Sequence, residues 1–190
     1  NGCYSSFEYI NSTRMDEPPR PSSPSSTAYC GYTRVTSATP PAGAENYWQG
    51  GNPNGTSTTY QVGSHNVNSP GTYYIRGRDI QTGTWSDPRG ISISSVKPST
   101  SYLNDHLELQ TLNTPGEYNN TQDMQASGIS GGVYKWYTNS GGYITTGSTY
   151  NPYSESEATY KVRVIAEACT SSYNSITSTR VDEPPVPQLP

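Results

Sequence analysis

The residues that most often carry enzyme chemistry are few in this sequence and are not grouped. His65 lies in a polar Gly-Ser-His-Asn turn, and His106 comes at the start of a predicted strand. Neither accompanies the Gly-x-Ser-x-Gly pattern that presents a nucleophile between a strand and a helix. Paired acid catalysis needs two carboxylates facing one cleft, and no shared face is evident for Asp79, Asp87, Asp105 and Asp123. We therefore expect no catalytic site, no bound cofactor and no enzymatic activity.

The cysteines are the next candidates for chemistry, and there are three: Cys3, Cys30 and Cys169. A cysteine metal site would need a close pair such as Cys-x-x-Cys, which is absent, and both histidines lie far from the cysteines in sequence. No metal site is therefore expected. Disulfide formation is the favoured interpretation, with free thiols as the alternative.

The two ends of the sequence repeat one another, and this repeat decides the expected pairing. Cys3–Pro19 and Cys169–Pro185 align without a gap and are identical at 11 of 17 positions. The period of 166 residues indicates a tandem array. Cys3 and Cys169 are then equivalent, and the counterpart of Cys30 falls beyond the last residue. The arithmetic predicts a disulfide between Cys3 and Cys30, with Cys169 paired outside the fragment.

Both copies of the repeat end in Arg-x-Asp-Glu-Pro-Pro. Carboxylates at a domain junction can hold Ca²⁺, and these copies supply Asp16, Glu17, Asp182 and Glu183. No Asp-x-Asp-x-Asp loop accompanies them. A solvated acidic strand end before a proline stop is the favoured interpretation, and interdomain Ca²⁺ stays open.

The composition is typical of an all-β protein. The chain has 190 residues, 17 of them Tyr, 18 Gly and 16 Pro, with a formal charge of -4. Tyr and Thr suit pleated, half-buried strands, whereas Gly and Pro suit turns. An acidic chain with eleven Lys and Arg lacks the basic face that nucleic acid requires, and no apolar run could span a bilayer. We expect no nucleic-acid partner, no membrane insertion, helix in less than about a tenth of the residues, and a soluble mature or excised piece.

A weaker internal repeat predicts the core. Trp48 and Trp136 are 88 residues apart, and each is followed about 25 residues later by a Thr-Tyr-x-aliphatic strand. That spacing is typical of an immunoglobulin-like sandwich, in which the Trp packs between the sheets and the Tyr forms a tyrosine corner. An aliphatic residue then replaces the second cysteine of an antibody domain. The expected core residues are Trp48, Trp136, Tyr73, Tyr160, Ile75 and Val162.

These patterns predict two tandem immunoglobulin-like antiparallel β-sandwiches in a repeat array, with ten strands in all. The expected parts are the last strand of a preceding repeat (1-18), a Pro/Ser linker (19-26), domain 1 (27-97), domain 2 (98-183) and the start of the next linker (184-190).

Several short motifs of the first domain carry a family resemblance. They are Ala38-Thr39-Pro40-Pro41-Ala42-Gly43, Tyr47-Trp48-Gln49, Gly55-Thr56-Ser57-Thr58, Ser69 to Arg78, and Trp85-Ser86. The chain resembles the tandem Ig-like domains of very large Bacteroidota cell-surface adhesins, closely over residues 28-97 and loosely over 100-183, including those of flavobacterial gliding motility. One departure is Thr84, where that family often has Cys before Trp-Ser.

The resemblance implies secretion to the cell surface, by the type IX system, and membership of an extended filament. The implied role is to space and present adhesive parts and to transmit force in surface attachment or gliding, and the implied partners are neighbouring repeats of the same chain.

Two alternatives stay open. The domains could bind a surface polysaccharide through exposed tyrosines such as Tyr143, Tyr150 and Tyr153, because an aromatic ring offers apolar area with a polar tip. They could also form the accessory part of a secreted polysaccharide-degrading enzyme.

Overall fold

The structure is a computed structural model that describes residues 17–61, 63–112, 121–153 and 157–180. Its strands are antiparallel, and one helix of six residues lies within these ranges. Two compact units are present. Unit 1 comprises the described residues of Asn1–Thr27 and Arg34–Ser94, and unit 2 comprises those of Ala28–Thr33 and Ser95–Pro190. The fold is therefore all-β, as the composition predicts.

Unit 1 contains two three-stranded sheets. The first has the order β1-β2-β4 and the second the order β3-β5-β6. The strands are β1 (Ser25–Tyr29), β2 (Tyr32–Thr36), β3 (Ala44–Trp48), β4 (Ser64–Val67), β5 (Gly71–Asp79) and β6 (Arg89–Ile93). In β3–β5 the register places Trp48 opposite Ile75. Both side chains are buried, together with Val35, Val67 and Ile93, so apolar residues at alternate strand positions form the core.

The tip of the β1–β2 hairpin belongs to unit 2. Cys30 and Gly31 form the turn, and the Gly31 N–H donates to the Lys97 carbonyl at 3.0 Å. Gly31 has φ +85°, and a Cβ there would approach the Cβ of Ser99 to 2.9 Å, so both the turn and the close packing require glycine. The sequence assigned this segment to domain 1 (27-97), but its contacts group residues 28–33 with unit 2.

The expected Pro/Ser linker is partly packed on unit 1. Pro21 is fully buried, and the Nε of Arg20 donates to the Pro88 carbonyl at 2.7 Å. The last residues of the linker are the beginning of β1. The segment 19-26 is thus not a free spacer. Most of the preceding strand expected at 1-18, and the linker expected at 184-190, lie outside the described residues.

Unit 2 has two sheets that share one core. The first has the order β7-β8-β11, and in the second β12 pairs with β9, β13 and β14, and β9 pairs with β10. The strands are β7 (Glu108–Leu112), β8 (Asp123–Ser127), β9 (Val133–Thr138), β10 (Tyr143–Thr146), β11 (Thr149–Tyr150), β12 (Ala158–Ala166), β13 (Cys169–Thr170) and β14 (Asn174–Ser178). Met124 of β8, Trp136 of β9 and Val162 of β12 belong to a single buried cluster. This arrangement is that of a β-sandwich.

One short helix was not expected from the sequence. Helix α1 (Thr100–Asp105) begins after Ser99, whose hydroxyl accepts a hydrogen bond from the Tyr102 N–H, and it buries Leu103 in the core of unit 2. A serine cap satisfies one of the otherwise unpaired N–H groups of a first turn. With six helical residues in the described ranges, the prediction that helix makes up less than about a tenth of the residues is confirmed. No helix in the described ranges is long and apolar enough to cross a bilayer.

Candidate functional site

A disulfide joins Cys30 to Cys169, with 5.6 Å between the Cα atoms, inside the range normal for such bonds. Cys30 lies in the β1–β2 turn, and Cys169 opens β13 as a buried member of the unit 2 core. The bond therefore fixes the hairpin tip to unit 2. The predicted pairing of Cys3 with Cys30, which left Cys169 to pair outside the fragment, is wrong.

The error has a physical reason. The prediction followed the repeat, which makes Cys3 and Cys169 equivalent positions and paired Cys3 with Cys30, whereas the observed bond closes a sequence separation of 139 residues. Loop-closure entropy rises only with the logarithm of length, so a long loop is scarcely disfavoured. Pairing is decided by which thiols the fold brings together. Cys3 itself lies outside the described residues.

The predicted core residues occupy two kinds of position. Trp48 and Trp136 are 2% and 0% exposed, and their cross-strand partners are Ile75 and Val162, both fully buried. The Trp136 indole N–H donates to the Gly147 carbonyl at 2.8 Å. The Trp48 indole N–H is buried and has no hydrogen-bond partner among the described residues.

Tyr73 and Tyr160 are half-buried rather than central. The Tyr73 hydroxyl donates to the carbonyl of Ser69, four residues upstream of Tyr73, at 2.8 Å. Tyr73 itself lies two residues before the buried Ile75. This is the geometry of a tyrosine corner. Tyr160 packs edge-on against Tyr150, with ring centroids 5.2 Å apart.

The exposed tyrosines suggested by the sequence do not form one cluster. Tyr150 is half-buried and packs against Trp136 with 5.8 Å between the centroids. Burial raises the pKa of the Tyr150 hydroxyl, and Tyr160 raises it further. Tyr143 contacts Tyr137 instead, and Tyr153 is largely exposed at a positive φ of 45°.

A different aromatic cluster lies on the sheet face opposite the unit 2 core. Tyr137 contacts Tyr143 and Tyr173 edge-on, with centroid separations of 5.7 and 5.1 Å. The Arg163 guanidinium carbon lies 5.1 Å from the Tyr137 ring centre and 5.3 Å from that of Tyr173. Its Nε donates to the Tyr137 hydroxyl at 3.0 Å. Together with two lysines of the same face this group is called the tyrosine–cation face: Lys135, Tyr137, Tyr143, Lys161, Arg163 and Tyr173.

The arginines on β5 of unit 1 are engaged by an aromatic ring and by backbone groups. The guanidinium carbons of Arg76 and Arg78 lie 5.7 and 5.9 Å from the Trp85 ring centre, and Arg76 also donates to two backbone carbonyls. Glu45 is the cross-strand partner of Arg78. It accepts a 2.5 Å hydrogen bond from Tyr47, and this bond raises the pKa of that hydroxyl.

An aspartate closes the turn after β5. Asp79 Oδ1 accepts hydrogen bonds from the Thr82 N–H at 2.7 Å, the Gln81 N–H at 2.9 Å and the Thr82 hydroxyl at 2.9 Å. The backbone bond from Thr82 is the largest of the causes that lower the pKa of this carboxyl, because it stabilises the charged form. Asp79 thus has a structural place in the turn.

The histidines are also engaged locally. His65 stacks near Tyr60, with the ring centroids 4.7 Å apart, and His106 lies over Tyr102 at 4.1 Å with its Nδ1 2.9 Å from the Tyr102 carbonyl. Neither ring is paired with a serine among the described hydrogen bonds. In the same ranges no three His, Cys, Asp or Glu side chains are placed as a metal site would require.

The features that stand out from ordinary sheet packing are therefore the Cys30–Cys169 bond and the tyrosine–cation face. Sequence reasoning predicted neither feature, because the disulfide depends on tertiary contacts and the tyrosine–cation face depends on which strand residues point away from the core. The chain matches no protein-family model and no curated protein at a significant level.

Proposed function

We propose that this chain is a load-bearing structural segment of a filamentous adhesin at the cell surface, built from tandem Ig-like β-sandwiches. The observation that carries the proposal is the disulfide, because it gives tension a short covalent route through the chain. The bond skips a sequence separation of 139 residues, which includes most of unit 1 and most of unit 2.

Under tension the load would pass along the backbone to Cys30, across the sulfur bridge, and onward from Cys169. The peptide between the two cysteines then carries no direct pull. Only the flanking parts remain on the load path, namely β1 on one side and β14 on the other. Most of the core strands are thereby protected from forced extension, as a spacer that must keep its length under load requires.

The Ig-like part of the proposal is supported by matching features in the two units. In each unit a buried Trp lies opposite a buried aliphatic residue on the neighbouring strand, Trp48 with Ile75 and Trp136 with Val162. In unit 1 the tyrosine two residues before that aliphatic residue hydrogen-bonds upstream, as a tyrosine corner does.

The sequence repeat extends the same disulfide pairing to each period of an array. With a period of 166 residues, Cys3 is the counterpart of Cys169, so its partner would be the counterpart of Cys30 in the preceding repeat. Each period would then contain one closed loop and one open connection of about 27 residues, from Cys3 to Cys30. Only the open connections would lengthen when the filament is pulled.

Single-molecule force spectroscopy tests the load path directly. The chain is placed between marker domains of known unfolding length and is stretched in non-reducing and in reducing buffer. With the bond intact, only the roughly 50 residues outside the loop can extend, which is about 165–180 Å. Reduction should release a further 460–500 Å or so, from 139 residues at about 3.3–3.6 Å each.

A double Cys30→Ala, Cys169→Ala variant is the matched control, and it should show the long extension in both buffers. If the unreduced wild-type chain already extended by the full length, the loop would not shield the core. The mechanical function would then be wrong.

The cellular part of the proposal needs a separate test. Disulfides persist in oxidising compartments, so a cell-surface location is compatible with the bond. Antibody labelling and protease treatment of intact producing cells should reach this segment, and deleting one period should impair surface attachment or gliding. A segment found inside the cell with free thiols would contradict both the location and the load path.

A further inference from the structure

The larger sheet of unit 2 has an unusual charge for this chain. The strands β9, β10, β12, β13 and β14 contain Lys135, Lys161 and Arg163 but no Asp or Glu, although the whole chain has a formal charge of -4. The charged side chains within these strands are therefore all positive, and the nearest carboxylates in sequence are Glu157 and Glu167 at the two ends of β12.

The cations alternate with tyrosines across neighbouring strands. The register pairs Arg163 with Lys135 and Lys161 with Tyr137, while Tyr143 of β10 is the partner of Tyr137 on its other side. All of these positions alternate with the buried Tyr134, Trp136, Val162 and Val164, so they point away from the core. The face therefore presents the exposed rings of Tyr143 and Tyr173 around the buried Tyr137, beside the two lysines.

The lysines of this face are not used within the described structure. Neither Lys135 nor Lys161 has an ion-pair or side-chain hydrogen-bond partner among the residues that the structure describes. Tyr143 and Tyr173 keep 59% and 45% of their surface exposed. Arg163 differs, because it is held between two rings and bonded to the Tyr137 hydroxyl, where it fixes the orientation of the tyrosines.

From this arrangement we infer that the tyrosine–cation face binds an acidic polysaccharide, one whose sugar rings carry carboxylate groups. The apolar face of a sugar ring can lie on an exposed tyrosine, and the lysine ammonium groups are point charges suited to single carboxylates. Rings alone would suit a neutral glycan, and charge alone would suit any polyanion, so the combination specifies the class.

Binding assays on the intact chain test the inference. In about 50 mM NaCl the chain should bind oligogalacturonate, should not bind neutral dextran, and should bind polyglutamate at least roughly tenfold more weakly because polyglutamate has no sugar rings. Raising the NaCl concentration should weaken binding, since exposed charges are screened. Equal affinity for polyglutamate or for single-stranded DNA would overturn the inference, as would no binding to oligogalacturonate.

The chain supplies its own matched controls, because it has three lysines and the third lies outside the face. A Lys135→Gln, Lys161→Gln double variant should lose about tenfold in affinity, or about 1.4 kcal/mol, whereas Lys97→Gln should lose less than about twofold. Equal losses from the two changes would refute the site.

Tyrosine variants give an independent reading. Tyr143→Ala should weaken binding severalfold, and Tyr102→Ala, which removes an exposed tyrosine of α1, should not. Circular dichroism of every variant confirms folding. The same variants should leave the force–extension lengths unchanged, so the binding site and the load path can fail separately.

Discussion

The two core tryptophans should respond differently to the same substitution, because only one of them uses its polar group. Trp136 donates its indole N–H to the Gly147 carbonyl, while the Trp48 indole N–H is buried without a partner among the described residues. Both side chains are almost completely buried. Replacing each by Phe removes a similar amount of packed volume and removes the N–H in both cases.

The expected magnitudes follow from that difference. Loss of packing should cost each unit about 1–2 kcal/mol. In Trp136→Phe the Gly147 carbonyl also loses its donor, which adds about 1–2 kcal/mol. In Trp48→Phe a buried unpaired donor disappears, and this offsets much of the packing loss. We expect Trp136→Phe to destabilise unit 2 by about 2–4 kcal/mol and Trp48→Phe to destabilise unit 1 by less than about 1 kcal/mol.

Native-state hydrogen exchange measured by mass spectrometry is the suitable assay, because two units need not unfold together. Exchange of β9 and β12 reports unit 2, and exchange of β3 and β5 reports unit 1. Each variant should affect only its own unit. Equal losses for the two variants, or a larger loss for Trp48→Phe, would refute the reasoning from the indole hydrogen bonds.

Three local features give further expected outcomes. Replacing Cys30 and Cys169 together by Ala should lower the stability of unit 2 by about 4–5 kcal/mol in the chain-entropy model. This range holds even if unit 1 stays folded, so that the flexible loop counts only about 80 residues. Denaturant unfolding under non-reducing conditions measures the loss, and no change in stability would argue against the bond. Gly128→Ala should destabilise unit 2 by more than about 2 kcal/mol, because φ is +96° and a Cβ would overlap a backbone carbonyl. Gly43→Ala, with φ +82° and open space around the residue, should cost about 1 kcal/mol. Thermal melts that give equal losses for the two variants would contradict the steric argument. The folded-state pKa of Asp79 lies below its ordinary value of 3.8, so the contribution of this carboxylate to stability is complete above pH 3.8 and is lost as the pH falls through the lower folded pKa. Asp79→Asn should therefore reduce the pH dependence of the unfolding free energy below about pH 4. An unchanged pH dependence in that range would count against this role of Asp79.

The aromatic core could be predicted because strand alternation and the sandwich spacing leave a local trace. The 88-residue offset placed Trp48 and Trp136 in corresponding strands, and the structure pairs each with the aliphatic residue suggested by the sequence. The expected hydrogen-bonding role of Tyr73, two residues before Ile75, could be predicted for the same reason. Such signals lie within one strand or between neighbouring strands, where period and spacing are informative.

The features that escaped prediction depend on contacts between distant residues. The first two residues of β1 were assigned to the linker because Ser and Pro dominate that segment, and their strand conformation comes from pairing with β2. Helix α1 is too short for a periodic pattern and is supported by the Ser99 cap and the burial of Leu103. Cys169 was expected to pair outside the fragment because a repeat shows which positions correspond but not which positions are in contact.

The tyrosine–cation face was missed for a related reason. The sequence suggested Tyr143, Tyr150 and Tyr153 as one surface group, since they are close along the chain. In the structure Tyr150 packs on the core, and Tyr143 instead contacts Tyr137, which also contacts Tyr173, thirty residues after Tyr143. Which face of a strand a tyrosine occupies depends on register, and register is fixed only when the sheet forms.

The long disulfide loop also has a consequence for how the molecule survives damage. A single hydrolysed peptide bond anywhere between Cys30 and Cys169 leaves the two pieces joined through sulfur. That interval includes exposed turns such as residues 51–60, which is where proteases usually cut. A cut in these turns opens the loop without dividing the molecule, so the two ends of the chain remain connected to each other and to their neighbours. Only a cut before Cys30 or after Cys169 separates the molecule, which confines the vulnerable length to its two flanks.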